Sequence, residues 1–152
     1  MSEATDAMDE NDRECARLAT LLARMEHGDF AQTVHEGWTV TAKLGHLAFW
    51  DRFALGLLER WAAGEPYETG TDDAWFDDTL NDALLAEWRA LIPAVARQLV
   101  LAAAEAVDAR LRRLEDGQAE RLLVDHDAEW LLRRHRHRAE HLDEIEGALA
   151  AM

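Results

Sequence analysis

The sequence predicts an all-α domain, a four-helix bundle in particular, and three observations carry that prediction. Ala, Leu, Glu and Arg, all strong helix formers, dominate the chain, while β-branched residues are scarce. Only two prolines and eight glycines interrupt its 152 residues. Apolar residues recur at helical spacing, as Cys15, Leu18, Leu22 and Met25 do. The length fits one domain, 1–152, with the polar residues 1–8 expected to be flexible.

The first helix is expected from Asp9 to His27, where Gly28 and Asp29 stop it. A loop follows through Gly37. Thr39 then opens a second helix that reaches Ala63, ended by Gly64 and Pro66. Pro66 to Thr71 reads as a polar turn. A third helical stretch opens near Asp72 and Asp73, whose carboxylates suit a helix N-terminus, and carries Trp75, Leu84 and Trp88. Pro93 either kinks that stretch or sits in the first turn of a fresh helix running to Glu115. Asp116-Gly117 is a stop, and one last helix is expected from Ala119 to Ala150.

Composition excludes several function classes. With 31 Asp and Glu against 16 Lys and Arg, the formal net charge is −15. Such a chain lacks the basic surface that a nucleic-acid backbone or an anionic membrane selects. No apolar run approaches the roughly 18–20 residues a bilayer span requires. The acidic, polar N-terminus is unlike a secretory signal, and one cysteine, Cys15, cannot form an internal disulfide or a paired-cysteine metal site. A soluble, cytoplasmic protein is expected, one that binds neither nucleic acid nor membrane.

Three of the seven histidines stand out by position. With about 100° per residue and His46 as origin, Trp50 falls near 40°, Phe53 near −20°, Leu57 near 20° and Trp61 near 60°. His46 therefore lies in the middle of the most apolar face of its helix. On the last helix, His141 lies about 40° from His137, with Trp130 and Leu123 on the same side and Arg133, Arg136, Glu140 and Asp143 opposite. Two imidazoles one turn apart can share a divalent ion at Zn–N distances of about 2.0–2.1 Å. His135 points about 160° away, and His126 would be about 16 Å along a continuous helix, so neither joins the pair. Three inward imidazoles need either hydrogen-bond partners or a shared cation, and the inward faces offer few partners. A His46–His137–His141 metal site and three ordinary core histidines both remain open at this point.

The runs Gly37 to Phe53 (GWTVTAKLGHLAFWDRF) and His137 to Ile145 (HRAEHLDEI), with Asn81 in DDTLNDALL between them, resemble the DinB/YfiT-like superfamily. That group includes mycothiol-dependent maleylpyruvate isomerase-like and DfsB-like branches. The resemblance implies an up-down-down-up four-helix bundle and a divalent metal, zinc or nickel, held by His46, His137 and His141. Where the isomerase branch can carry Glu, this chain has His137, which moves it toward the three-histidine type. By resemblance, the activity is transfer of a low-molecular-weight thiol, of mycothiol, bacillithiol or glutathione type, to an electrophilic small molecule in detoxification, in a homodimer. The alternative is a helical bundle that binds a metal or small ligand without catalysis. Three protein ligands would leave a coordination position open, as in catalytic rather than structural sites.

Around that centre, Trp50 and Trp61 are the expected pocket-lining tryptophans because they share the face of His46. Asn81 could aim its amide at the site or cap a helix. Arg134 could hold a substrate carboxylate, although snorkelling to the surface is the plainer role. Glu144 could accept a hydrogen bond from a ligand histidine or serve as a fourth ligand. The acids Asp143 and Glu146 beside it favour a solvated role. Cys15 is expected to pack rather than react.

Overall fold

The computed structural model describes residues 2–70 and 73–152. It is mostly helical. Helix α1 spans Glu3–Arg24, with the Ser2 hydroxyl accepting from the Thr5 backbone N–H at 3.1 Å. It therefore begins before Asp9, and the segment expected to be flexible is helical from Glu3 onward. Ala4, Ala7 and Met8 are buried in one apolar cluster with Leu58, Leu111 and Leu131. Small alanines give little periodic signal, which is why this packing is invisible in the sequence. A short 3-10 turn, His27–Ala31, buries Phe30.

A small antiparallel hairpin, β1 (Thr33–His35) and β2 (Trp38–Thr39), replaces the expected loop, with Gly37 at φ +80° in its turn. It leads into α2 (Val40–Ala62), where the Thr39 hydroxyl accepts from the Ala42 N–H at 3.1 Å. Helix α3 (Ala74–Ala90) is capped by Asp73, whose carboxylate accepts from the Trp75 N–H at 2.9 Å. Thr71 and Asp72, the expected turn end and helix start, lie outside the described residues. Pro93 opens the new helix α4 (Pro93–Arg112), so it starts an element rather than kinking one.

The last expected helix is three: α5 (Asp116–Val124), α6 (Glu129–Leu132) and α7 (Arg134–Ala150). Asp125 makes the first break, its carboxylate accepting from the Asp127 N–H at 3.0 Å, a local bond that competes with helix continuation. Arg133, at φ −94° and ψ 57°, makes the second. The backbone groups released there are satisfied from α1. Asn11 Nδ2 donates to the Leu132 carbonyl at 2.8 Å, and Asn11 Oδ1 accepts from the His135 N–H at 2.8 Å. An unpaired buried backbone group costs about 1–3 kcal/mol, so one buried asparagine makes this kink tolerable.

Helices α1, α2, α4 and α7 pack on one another, α2 against α4 and α7, and α1 against α4 and α7. Their apolar residues form two clusters. One contains Leu18, Leu22, Phe30, Leu44, Leu47 and Leu142; the other contains Met8, Leu58, Leu111, Leu122, Leu131 and Leu132. Burying each such side chain contributes about 1.5–3 kcal/mol. Buried polar residues fall near the boundary between the clusters on each of these four helices: Asn11 on α1, Asp51 on α2, Asp108 on α4 and Arg138 on α7. Helix α3 lies against α2 through Trp88. A Cβ on Gly45 would stand 2.7–2.9 Å from Trp88 atoms, so this close approach requires glycine.

Replacing Asn11 by Ala removes both partners of the break before α7. Chemical denaturation should show a loss of about 2–4 kcal/mol for Asn11→Ala, larger than an exposed substitution on the same helix such as Arg13→Ala.

Candidate metal centre

His46, on α2 beside Gly45, is held by aromatic neighbours. The edges of Trp38 and Trp88 meet its ring, with centroids 5.5 and 5.4 Å away. His137 and His141 come from successive turns of α7. The three Nε2 atoms converge: His46 to His137 is 2.9 Å, His46 to His141 is 3.1 Å, and His137 to His141 is 3.1 Å. One ligand atom from each residue lies within 4.8 Å of the others, so the group could hold a metal ion.

The outer ring nitrogens constrain the proton count. Glu144 Oε1 lies 2.8 Å from His141 Nδ1. A carboxylate only accepts, so His141 carries its proton on Nδ1 and turns a bare lone pair toward the other two rings. Three N···N contacts would need three shared hydrogens, and His141 supplies none. The inward nitrogens therefore cannot satisfy one another with protons alone, whereas a divalent cation accepts all three lone pairs at once when His137 carries its proton on Nδ1, a tautomer that gives up the 3.3 Å contact from Arg134 Nη2. Separations near 3 Å also suit ligands about 2.0–2.1 Å from one shared ion. The donor set fits the metal that the sequence resemblance implies.

Electrostatics keep these rings neutral, the form that binds metal. Burial is the largest cause for all three. It lowers His46 to about 3, helped by His141 and Lys43. It holds His137 well below its ordinary value, with Arg134 the next cause. It also lowers His141, assisted by Lys43 and opposed by Glu144. Glu144 is not a solvated acid: Lys43 Nζ stands 3.0 Å from its carboxylate. Burial alone would raise its pKa, but Lys43 and His141 outweigh burial and keep it below the usual carboxylate range.

A second buried layer lies beneath. Arg138, 1% exposed, donates to Asp108 at 2.7 and 2.8 Å, to Asp51 at 3.2 Å and to the Asn11 carbonyl at 3.2 Å. Burial opposes its charge, yet Asp51 and Asp108 outweigh it and raise its pKa. Arg134 neither snorkels nor stands free for a substrate carboxylate. It is buried, donates to Asp51 at 2.8 Å and to the Trp130 carbonyl at 3.1 Å, and reaches His137 Nδ1 at 3.3 Å.

The histidines open into a cavity of about 620 Å³. Trp50 and Asn81 both line it, joined by a 2.9 Å bond from Trp50 Nε1 to Asn81 Oδ1. Asn81 thus orients a wall tryptophan rather than capping its helix. Trp61 does not line the cavity; its ring packs on Tyr67 at 4.9 Å. It shares the angular face of His46 but lies about 22 Å farther along the axis, which a helical wheel ignores. The face of His46, Trp50 and Phe53 is the cavity wall; the deepest side of α2 carries Leu44, Leu47, Asp51, Ala54 and Leu58 instead.

Several cavity residues escaped the sequence reading. Trp38, Lys43, Phe53 and Trp130 line it; the angular positions place Phe53 beside His46 and Trp130 beside His137, without marking either as a cavity residue. His126 and Asp127 arrive because the helix breaks at Asp125, which removes the axial distance that a continuous helix would impose. Glu140, expected on the far side, lies at the cavity edge. His135 is turned away onto Asn11, as expected. Cys15 is outside the cavity, and burial pushes its thiol up to about 11, which removes it as a nucleophile.

Compared with known families, the chain matches the mycothiol maleylpyruvate isomerase N-terminal domain over residues 12–146. No curated protein and no solved structure matches it.

Two measurements test this arrangement. Asp51→Ala strips a buried anion from both arginines, so the urea midpoint should fall by the equivalent of about 3–5 kcal/mol. In chelator-treated protein, the unfolded state takes up protons below about 6.5 while folded His46 resists until about 3. Stability is therefore complete above pH 6.5 and is lost as the pH falls, by roughly 1–2 kcal/mol from His46 alone on going to pH 5. His46→Phe should shrink that loss when denaturation is compared at pH 7.5 and 5.

Proposed function

The chain belongs to the mycothiol maleylpyruvate isomerase N-terminal domain family, within the DinB/YfiT-like superfamily, and on that premise we propose that it is a metal-dependent enzyme joining a low-molecular-weight thiol to an electrophilic small molecule. The observation that carries this reading is the convergence of three imidazole nitrogens at a cavity large enough for substrate. A clamp that only staples α2 to α7 would have no use for such an opening. His46, His137 and His141 are the proposed ligands, and zinc or nickel the proposed metal.

A divalent ion held there would bring the pKa of a bound thiol or water toward neutrality. The chain's own residues do the remaining work. Glu144 fixes the His141 tautomer, and Lys43 fixes Glu144 in turn. Asp51 holds Arg134 beside the ring of His137. Trp38, Trp50, Phe53 and Trp130 wall the cavity and displace water from it. In the transfer the sulfur forms a bond to the electrophilic carbon, the leaving group departs with its bonding pair, and the thiol proton passes to solvent. The thiol is of mycothiol or bacillithiol type, and the family match favours mycothiol.

In the same reading 1–152 is one domain, and α1, α2, α4 and α7 form the up-down-down-up bundle. It acts as a cytoplasmic homodimer in detoxification. No helix among the described residues is long and apolar enough to cross a membrane.

Elemental analysis of tag-free protein tests the centre. About one zinc or nickel per chain is expected in wild type, and little in His46→Ala or His141→Ala. Glu144→Gln should keep the fold and weaken metal affinity by about 10–100-fold. Full metal retention in both histidine variants would overturn the ligand assignment. Loaded protein that consumes no mycothiol with any electrophile offered would overturn the transferase reading.

A further inference from the structure

An imidazole that ligates a metal through one nitrogen donates its other N–H to a partner, and the three rings differ in what their outer nitrogens meet. His141 Nδ1 faces a carboxylate oxygen of Glu144 at 2.8 Å. His137 Nδ1 faces the Arg134 guanidinium at 3.3 Å. His46 Nδ1 is buried and meets no hydrogen-bond partner among the described residues. Trp38 and Trp88 pack against its ring, but an indole nitrogen can only donate.

The orphan nitrogen matters because His46 Nε2 is the atom turned toward the other two rings. A neutral imidazole that offers its Nε2 lone pair carries its proton on Nδ1. A buried N–H without an acceptor disfavours that form. The ring therefore needs an acceptor at Nδ1.

Three observations single out Asn81. It lines the same cavity as His46. Trp50, one turn beyond His46 on α2, donates from Nε1 to Asn81 Oδ1 at 2.9 Å. Because the indole only donates, this bond fixes which end of the amide is oxygen, and that oxygen keeps a second lone pair. Asn81 also acts on the His46 ring as a hydrogen-bonding side chain, in the direction of an acceptor: it favours the added proton, against the effect of burial.

Resting on the reading that His46 is a metal ligand, we propose that Asn81 is the positioning residue for it, accepting from His46 Nδ1–H with the second lone pair of Oδ1 and so holding the tautomer that turns Nε2 toward the ion. Trp50 orients the amide. The series Trp50, Asn81, His46 matches the series Lys43, Glu144, His141 on the other helix, where Lys43 lies 3.0 Å from the carboxylate that meets His141.

Two readouts test this on the full chain, one with metal and one without. Zinc affinity, measured by competition with a chromophoric chelator, should fall about 10–100-fold in Asn81→Leu and in the less bulky Asn81→Ala. Asn81→Asp keeps an acceptor in the same place and should restore wild-type affinity. Trp50→Phe should weaken binding by a smaller factor and add nothing to Asn81→Leu, since both act through one amide. In chelator-treated protein, nitrogen-15 NMR of the histidines, with His46 assigned by its loss in His46→Phe, should place the proton on Nδ1 in wild type and in Asn81→Asp. In Asn81→Leu and Asn81→Ala that proton should shift toward Nε2. Wild-type zinc affinity in both apolar variants overturns the proposal and leaves the ligand assignment standing, as does an Asn81→Asp chain as weak as Asn81→Leu. A wild-type chain that takes up no zinc, while the His46 proton still follows Asn81, refutes the metal reading and keeps the contact. A His46 proton that ignores every change at Asn81 overturns the proposal whether or not zinc binds.

Discussion

The guanidinium of Arg138 is the constraint around which the helices are arranged. It is 1% exposed, and a buried cation is tolerated only when its partners surround it. Those partners come from three other helices: Asn11 through its carbonyl on α1, Asp51 on α2, and Asp108 on α4. Satisfying one side chain thus fixes the rotation of α7 about its axis. His137 is the next residue back and His141 lies one turn ahead, so the same rotation turns both toward His46. The polar layer that divides the two apolar clusters is also the foundation of the histidine site.

The broken C-terminal segment does the second part of the work. A continuous helix would carry His126 and Asp127 far along the axis from His137. Asp125 ends α5 by a local side-chain bond, and Asn11 supplies the backbone partners that the kink at Arg133 frees. His126, Asp127 and Trp130 thereby join residues of α2 and α3 in lining the cavity, with Trp130 stacked on Phe53. One asparagine on the first helix serves both the kink and, through its carbonyl, the buried arginine.

Charge in this site is arranged in series. Lys43 holds Glu144, Glu144 holds His141, Asp51 holds Arg134, and Arg134 touches His137. Each cation is spent on an anion of the protein itself, which leaves the cavity with aromatic walls and acidic edges. The result is an environment in which imidazoles stay neutral and lone pairs converge, the state a metal requires before it binds.

The sequence by itself determined the helical class and singled out the three histidines as a group, because periodicity and angular offset are local properties of the chain, while it left Pro93 open between a kink and a new helix. It also pointed to Trp50 and Asn81 at the cavity. It missed what depends on distance between elements. Trp61 shared the right angle but the wrong height, and Glu144 was read as solvated because only the fold brings Lys43 beside it. Arg134 was read as snorkelling to the surface and Arg138 was not singled out, because Asp51 and Asp108 reach them from other helices. The start of α1 at Glu3 was hidden by alanines whose burial depends on their partners, and the two breaks before α7 were hidden by a strongly helical composition. Local preference is set by each residue's own chemistry. Pairing of buried charges, closure of a kink and the depth of a cavity are set by residues distant in sequence, and the tertiary structure alone decided them.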